Sequence, residues 1–143
     1  MEHTLDEQLE EINRTFKMSD DLFHDLALRL GLSDSAFEIL YALCLTGGCT
    51  QRDICRMSYT PKQTIHSALR RLEREGLLSA APAQGREVFL SLTPRGAALA
   101  EERIRPVLER ERAAFALLTA RERKELLRLN KKYLELLRGQ LGL

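Results

Sequence analysis

The stretch that decides the fold runs from residue 60 to residue 78 and reads TPKQTIHSALRRLEREGLL. Its apolar residues recur every three or four positions, which is the spacing of an amphipathic helix. Thr60 suits an N-cap and Pro61 suits the first helical position, whereas Gly76 suits the residue after a helix end. We therefore predict a helix over residues 61–75.

This helix has an apolar side and a polar side when its residues are placed at 100° intervals. The apolar side carries Ile65, Leu69 and Leu72. The opposite side carries hydrogen-bonding and cationic side chains, namely Gln63, Ser67, Arg70 and Arg74, flanked by Thr64, His66 and Arg71. Arginine can bind guanine with two hydrogen bonds, glutamine can bind adenine, and serine or threonine can contact bases or phosphates. The pattern favours a recognition helix in the major groove; the alternative is the solvated face of an ordinary amphipathic helix.

A short helix precedes this one and a hairpin follows it. The sequence Thr50-Gln51-Arg52-Asp53 predicts the start of a short helix that ends near Met57. Two short helices joined by a turn of about three residues form a helix-turn-helix. Residues 77–80 and 87–92 are strand-like and are separated by loop residues. A hairpin directly after a helix-turn-helix is a wing, so we predict a winged helix-turn-helix.

Helical patterns also precede this region. Apolar residues at helical spacing predict a long first helix that ends before Gly31, and residues 19–21 could either continue or interrupt it. Ser35 and Glu38 have the spacing of the capping box of a second helix, which ends at Gly47.

Two further helices are predicted after the hairpin. Thr93 is expected to cap one that runs to about Leu118 with a kink at Pro106, and Thr119 to cap another that runs to about Arg138. These helices hold more large apolar residues than packing on a small winged helix would need. Burial against a second copy of the chain would use that surface. The alternative is a helical hairpin that folds back on the first helix of the same chain.

Charge is distributed unevenly along the 143 residues. The net charge is +1 overall, but it is −7 over residues 1–50, +4 over residues 51–95 and +4 over residues 96–143. This asymmetry indicates an anionic partner for one face of the protein.

Length and composition exclude several classes of protein. The chain has the length of one domain, and its longest apolar run, residues 113–118, is far shorter than the ~20 residues that span a bilayer. The acidic N-terminus has no apolar signal core, so we expect a cytoplasmic protein without membrane contact. Three cysteines do not form a disulfide framework.

The sequence gives little support for a metal site, a catalytic site or a reactive cysteine. The three histidines are scattered, so no metal site is predicted. No glycine-rich phosphate loop or nucleophile elbow is present, so we predict no catalytic residue, no enzyme activity and no cofactor. Cys49 is the one cysteine expected to be exposed, and neighbouring Arg52 could lower its pKa. The more serious rival is a winged-helix module that contacts a protein instead of DNA.

The stretch over residues 60–78, followed by GREVFLSLTPRG at residues 85–96, resembles the MarR family of bacterial winged-helix transcription regulators. The likeness extends over roughly residues 20–140. It implies a homodimer with intertwined terminal helices and a wing arginine in the minor groove, a position that Arg86 occupies. The aspartate usual two residues before that arginine is Gln84 here, so a carboxylate that would orient Arg86 is missing.

Fold, domain and partner expectations follow from the residues and the resemblance together. The fold class is mainly α (α+β), a winged helix-turn-helix with a small β-hairpin wing and long N- and C-terminal dimerisation helices. Within a single domain of residues 1–143, residues 1–31 are the first dimerisation helix, residues 32–95 the DNA-binding lobe and residues 96–143 the C-terminal dimerisation helices. The partners are double-stranded DNA with a palindromic operator, a second copy of the chain and a small aromatic or phenolic effector.

The expected roles of individual residues divide by the groove or pocket they would contact. Gln63, Ser67 and Arg70 are candidates for base contact, with Lys62, Thr64 and His66 as secondary candidates. Arg71, Arg74 and Arg52 are assigned to phosphates and Arg86 to the minor groove. The resemblance also implies an effector pocket, to which Asp21, Phe23, His24 and Tyr41 could contribute. The chain is expected to act as a repressor that the effector releases from DNA.

Overall fold

The computed structural model describes residues 2–58 and 60–143, so Met1 and Tyr59 lie outside it. Over the described residues the elements are α1 (Leu5–Arg29), α2 (Asp34–Thr46), β1 (Cys49–Thr50), α3 (Gln51–Met57), α4 (Lys62–Arg74), β2 (Leu78–Pro82), β3 (Val88–Leu92), α5 (Pro94–Arg103), α6 (Arg105–Leu117) and α7 (Ala120–Leu141). The chain forms two compact units, one ending at Arg105 and the other comprising residues 106–143. The mainly helical winged-helix fold is confirmed.

The first helix is continuous. Thr4 accepts a hydrogen bond from the Glu7 N–H while the Glu7 carboxylate accepts one from the Thr4 N–H, so a full capping box starts α1. Residues 19–21 continue the helix and do not interrupt it. Gly31 follows the helix with φ of 71°, as expected for a residue after a helix end.

The N-cap of α2 is Ser33, and the prediction of a capping box at Ser35 and Glu38 is wrong. The Ser33 hydroxyl accepts from the Ala36 N–H at 3.2 Å, which starts the helix two residues earlier. Glu38 is not free to complete a box because its carboxylate accepts a hydrogen bond from Ser58, 20 residues away. The Glu38 carboxylate thus makes a tertiary contact instead of a capping contact.

The predicted cap of α4 is also wrong, although the helix itself is confirmed. Pro61 is the N-cap and has extended backbone angles, and no side chain caps this end. The Thr60 N–H donates to the Ser58 hydroxyl at 3.0 Å, so Thr60 belongs to the turn. By contrast, α3 begins after Thr50 as predicted, and Thr50 and Asp53 form a full capping box there.

The core of the first unit lies where α2, α3 and α4 meet the sheet. The predicted apolar side of α4, Ile65, Leu69 and Leu72, is buried there. Ile39 and Leu43 of α2 belong to the same cluster. Because one side of α4 is fixed in this core, its opposite side faces solvent.

The sheet has three antiparallel strands in the order β1-β3-β2. The two-residue strand β1 was not predicted; it pairs Cys49 with Leu90 and extends the wing hairpin by one strand. Leu90 points into the core, whereas Val88 is exposed because it pairs with Pro82 towards the wing tip.

The long helix predicted after the wing is interrupted near Pro106, as expected. Thr93 caps α5 through the Gly96 N–H, and Ile104 separates α5 from α6. Proline lacks an N–H and its ring would clash with the carbonyl four residues earlier, but both are tolerated in the first turn of a helix. Pro106 is the second residue of α6, and the interruption falls before it, at Ile104.

In the second unit, α7 begins at the predicted capping box of Thr119 and Glu122 and ends at Leu141, three residues beyond the predicted end. No residue of α7 is buried.

Candidate nucleic-acid interface

The face of α4 opposite the core is polar and exposed. Every α4 residue predicted to contact DNA is exposed: Lys62, Gln63, Thr64, His66, Ser67, Arg70, Arg71 and Arg74. The burial of Ile65, Leu69 and Leu72 fixes the rotation of the helix, which leaves Gln63, Ser67, Arg70 and Arg74 pointing outward. The structure thus brings the three main base-contact candidates to one face.

These side chains differ in how far they are engaged within the protein. Within residues 2–58 and 60–143, Arg70 and Arg74 make no hydrogen bond or ion pair. Arg71 instead donates to the Glu75 carboxylate at 3.1 Å along the helix. Ser67 donates to the Gln63 carbonyl oxygen at 3.1 Å, so its hydroxyl can still accept a hydrogen bond. Arg70 and Arg74 therefore keep all their donors for a ligand.

His66 contacts α3, which sequence reasoning did not anticipate. Its Nδ1 lies 3.3 Å from the side-chain nitrogen of Gln51, the first residue of α3. The contact joins the two helices of the helix-turn-helix on the exposed side. Residues 15 positions apart leave no local sequence signal for such a pair.

The turn between α3 and α4 depends on another pair that the sequence did not reveal. The Ser58 hydroxyl donates to the Glu38 carboxylate of α2 and accepts from the Thr60 N–H. The turn is thereby hydrogen-bonded to the helix behind it, which helps to set where α4 begins.

The wing presents Arg86 beside its tip. Ala83 N–H donates to the Glu87 carbonyl oxygen at 2.9 Å, and Gly85, with φ of 68°, lets the chain reverse between them. Arg86 is exposed and has no hydrogen bond or ion pair in the described part of the chain. Gln84, which stands where an aspartate is usual, makes no hydrogen bond to Arg86 in this part of the chain.

Arg52 lies against the base of the wing. Its Nε is 3.4 Å from a carboxylate oxygen of Glu87, and its side chain is 67% exposed. This ion pair links α3 to the wing. To contact a phosphate, Arg52 would have to share its charge with that carboxylate or leave it.

The four candidates for an effector pocket do not form one cluster. Phe23 and Tyr41 both contact Phe37, with ring centroids 6.2 and 5.9 Å apart, so three rings form a row between α1 and α2. His24 Nδ1 lies 2.9 Å from both carboxylate oxygens of Asp34, and this hydrogen bond raises the pKa of His24. Asp21 instead pairs with Lys17 along α1 at 2.9 Å.

A cavity of about 410 Å³ occupies another part of the first unit. It lies between the start of α2, the end of α4 and α5, and its charged lining residues are Arg71, Glu75, Arg95, Glu102 and Arg103. None of the four effector candidates lines it.

The prediction that Cys49 is exposed is wrong. Cys49 is 5% exposed because β1 pairs with β3 and turns the side chain into the core. Burial raises the pKa of its thiol, and Arg52 is turned towards Glu87. A buried thiol with a raised pKa is a poor nucleophile, so the structure gives Cys49 no sensing role.

Within residues 2–58 and 60–143, no group of three or more His, Cys, Asp or Glu side chains could hold a metal ion. None of the described helices is both long enough and apolar enough to cross a membrane.

Comparison with known proteins gives a family match and a shared fold. The MarR family model matches residues 30–87, which contain α2, the helix-turn-helix and most of the wing. No curated protein matches the chain by sequence.

Solved structures match nearly the whole chain. NMB1585, a MarR family regulator from Neisseria meningitidis, has a TM-score of 0.83 at 23% identity, covering 94% of this chain and 96% of that one. The DNA complex of MepR from S. aureus has a TM-score of 0.63 at 22% identity, with 95% and 99% covered. BpsR from Bordetella bronchiseptica, whose DNA binding is regulated by 6-hydroxynicotinic acid, has a TM-score of 0.63 at 22% identity, with 86% and 98% covered. At these identities the likeness concerns the fold. The MarR family model thus matches residues 30–87 of this chain, and the fold of the whole chain is that of solved MarR family regulators.

Proposed function

We propose that the chain is a DNA-binding transcriptional regulator that reads a duplex with α4 and the wing. The observation that carries the proposal is the α4 face on which Arg70 and Arg74 stand exposed and unpaired among the described residues, beside Gln63 and Ser67. An α-helix fits the major groove, and arginine and glutamine are the side chains that bind guanine and adenine edges.

Each group of candidate residues has its own role in this proposal. Gln63, Ser67 and Arg70 contact base edges, with Lys62, Thr64 and His66 beside them. Arg74, Arg71 and Arg52 contact phosphates, and Arg86 enters the minor groove next to the recognition helix. In this arrangement residues 32–95 are the DNA-binding lobe, whereas residues 1–31 and 96–143 supply dimerisation helices.

The charge distribution supports the same orientation. Residues 51–95 carry a net charge of +4, which is where the phosphates would lie. The acidic residues 1–50 would face away from the duplex. Lysine and arginine that neutralise phosphates release counterions, so affinity should fall steeply as salt rises.

A homodimer is part of the proposal. Large apolar side chains are exposed on α1 and α7, among them Leu9, Phe16, Leu22, Leu126, Leu134 and Leu137. The two helices have opposite net charges, −4 over residues 5–29 and +4 over residues 120–141. Contact between α1 of one copy and α7 of the other would bury apolar surface and pair unlike charges. A two-fold dimer would read a palindromic operator.

An aromatic effector is a further part of the proposal. DNA binding by BpsR is regulated by 6-hydroxynicotinic acid, a small aromatic hydroxy acid. In this chain the row formed by Phe23, Phe37 and Tyr41 offers aromatic surface to such a molecule, and the imidazole of His24, whose pKa Asp34 raises, lies next to Phe23 in sequence. An effector that binds one conformation of the dimer better than the other would shift the population and release DNA. Release of this kind suits a repressor.

The test is selection of duplexes from a random pool, followed by titration of the enriched sequence at several salt concentrations. We expect an enriched palindrome with half-sites about 10 bp apart and a steep salt dependence. Weak, salt-independent binding without enrichment would contradict the proposal and favour a winged-helix module that contacts protein. We also propose that the protein acts in the cytoplasm, where the chromosome lies. We assign it no catalytic role.

A further inference from the structure

The exit of α4 is hydrogen-bonded to a segment more than 15 residues further along the chain. Every helix end leaves carbonyl oxygens without helical donors. Here Arg95 Nη1 donates to the Glu75 oxygen at 3.0 Å. The Thr93 hydroxyl donates to the Gly76 oxygen at 2.6 Å, and the Thr93 N–H donates to the Leu77 oxygen at 3.1 Å. We call this contact the exit clasp; it comprises residues 75–77 and 93–96.

The exit clasp also involves close backbone packing. A Cβ at Gly96 would lie 1.9 Å from the Leu77 carbonyl oxygen, so a side chain at residue 96 would force the two backbones apart. The Gly96 N–H donates to the Thr93 hydroxyl, which itself donates to Gly76. One hydroxyl therefore caps the start of α5 and binds the end of α4.

If the exit clasp is weakened, the two halves of α4 should move by different amounts. The helix has 13 residues and is about 20 Å long. Its entry follows the turn that Ser58 holds, so movement at the exit tilts the helix about its entry. Gln63 lies in the first turn and would move little, whereas Arg70 lies about two turns further on and would move more.

We propose that Arg95 is a positioning residue for DNA reading: it holds the exit of α4 so that Arg70 reaches its base. This inference rests on the proposed function, because it assigns Arg70 a base to read. Arg95 itself lies outside the α4 face and bonds to the carbonyl of the residue that caps α4. Its contribution to recognition is therefore indirect.

The alternative is a purely stabilising role. A cation near a helix C-terminus stabilises the helix through its dipole, wherever the helix is used. Loss of such a contribution would lower the melting temperature and weaken every base preference together. A positioning role predicts instead a loss confined to the bases that the second half of α4 reads.

The experiment measures base preference position by position. Wild type, Arg95→Ala, Arg95→Lys and the control Arg105→Ala are titrated with the selected duplex and its single-base variants. Arg105 suits the control because it is an arginine shortly after α5 that pairs with Glu101 and not with α4. Gln63→Ala and Arg70→Ala identify which base pair each residue reads.

We expect Arg95→Ala to reduce the preference at the Arg70 base pair about three- to tenfold, the effect of one hydrogen bond. The preference at the Gln63 base pair should change by less than about twofold, because the α4 entry is still held. Arg95→Lys should restore most of the preference, since lysine also donates to a carbonyl. Arg105→Ala should behave as wild type, and adding Arg95→Ala to Arg70→Ala should cost no further preference.

Amide hydrogen exchange tests the clasp without DNA. Arg95→Ala should speed exchange of the Glu75 and Gly76 amides, which donate to the last turn of α4, relative to that of the α2 amides. Unchanged exchange would overturn the inference, as would an equal loss at all base pairs or an Arg95→Lys variant that behaves like Arg95→Ala. A wild-type protein that selects no duplex would overturn the proposed function and the positioning role with it, whereas faster exchange would still establish the clasp.

Discussion

Arg70, Arg74 and Arg86 are exposed and make no hydrogen bond or ion pair within residues 2–58 and 60–143, whereas Arg52 and Arg71 each face a glutamate. An arginine without a partner offers five N–H donors to phosphates or to guanine. An arginine in an exposed ion pair must give up that contact, which costs little because such pairs contribute about 1 kcal/mol or less. At the scale of single residues, the structure therefore divides the predicted arginines into those that are ready to bind and those that must exchange a partner.

Arg70→Ala should relax specificity at one base pair and cost about 1–3 kcal/mol of binding free energy there. The matched variant Arg74→Ala should instead weaken binding to all sequences and reduce the salt slope by about one. Titration of duplexes that differ at single base pairs distinguishes the two outcomes. Equal losses on every duplex for Arg70→Ala would assign Arg70 to a phosphate.

Glu87→Gln should strengthen DNA binding. The change removes a carboxylate from the wing base and releases Arg52 from its 3.4 Å ion pair, so one more cation can meet a phosphate. We expect the affinity at low salt to rise several-fold and the salt slope to become steeper by about one. Glu10→Gln on α1 makes the same change of charge away from the proposed interface, and affinity that rises equally in both variants would contradict the local explanation.

At the scale of the elements, tertiary contacts choose among signals that the sequence offers more than once. Both Ser33 and Ser35 are residues that can cap α2; Ser33 is the cap, and Glu38 bonds to Ser58 instead of completing a box with Ser35. The register of β1 against β3 places Cys49 in the core, although a two-residue strand has no periodicity to reveal it.

Ser33→Ala should destabilise the protein by about 1 kcal/mol, because the Ala36 N–H loses its cap. Ser35→Ala should cost less, since Ser35 is already inside the helix. Urea denaturation of the two variants provides the measurement. A larger loss for Ser35→Ala would restore the capping box that the sequence predicted.

The contact between α1 and α2 at His24 and Asp34 should make stability depend on pH. The hydrogen bond to Asp34 raises the pKa of His24, and the charges of Asp34, Asp25 and Asp21 act in the same direction. A raised pKa means that the stabilising contribution is complete below the unfolded pKa of about 6.5 and is lost as the pH rises through the folded value.

The melting temperature of wild type should therefore exceed that of His24→Gln by more at pH 6 than at pH 8. Asp34→Asn should abolish most of that pH dependence by removing the partner carboxylate. A constant difference between wild type and His24→Gln across this range would contradict the pairing.

At the scale of the whole molecule, the exposed apolar surface and the distribution of charge both indicate a binding partner. Large exposed apolar patches mark interaction sites. The exposed leucines and phenylalanines are therefore expected on a chain that is described without its partner. The opposite net charges of α1 and α7 favour a second copy as that partner.

Leu134→Glu should convert a dimer into monomers. Leu134 is 57% exposed on α7, and a glutamate there would have to be buried uncompensated in the proposed interface. Gln140→Glu adds the same charge to the same helix without removing an apolar side chain. Sedimentation equilibrium should show monomers only for Leu134→Glu, with a parallel loss of affinity for the palindrome. A monomeric wild-type protein would contradict the dimer.

The amino-acid sequence by itself determined the winged helix-turn-helix, the buried and exposed sides of α4, the break near Pro106 and the position of Arg86 on the wing. These features follow from local rules of periodicity, capping and turn formation that act within a few residues. Only the tertiary structure decided which serine caps α2, the burial of Cys49, the pairing of Arg52 with Glu87 and the exit clasp at Arg95. Each of these joins residues that are far apart in the chain, and such pairing depends on how the elements pack against the core rather than on any local pattern.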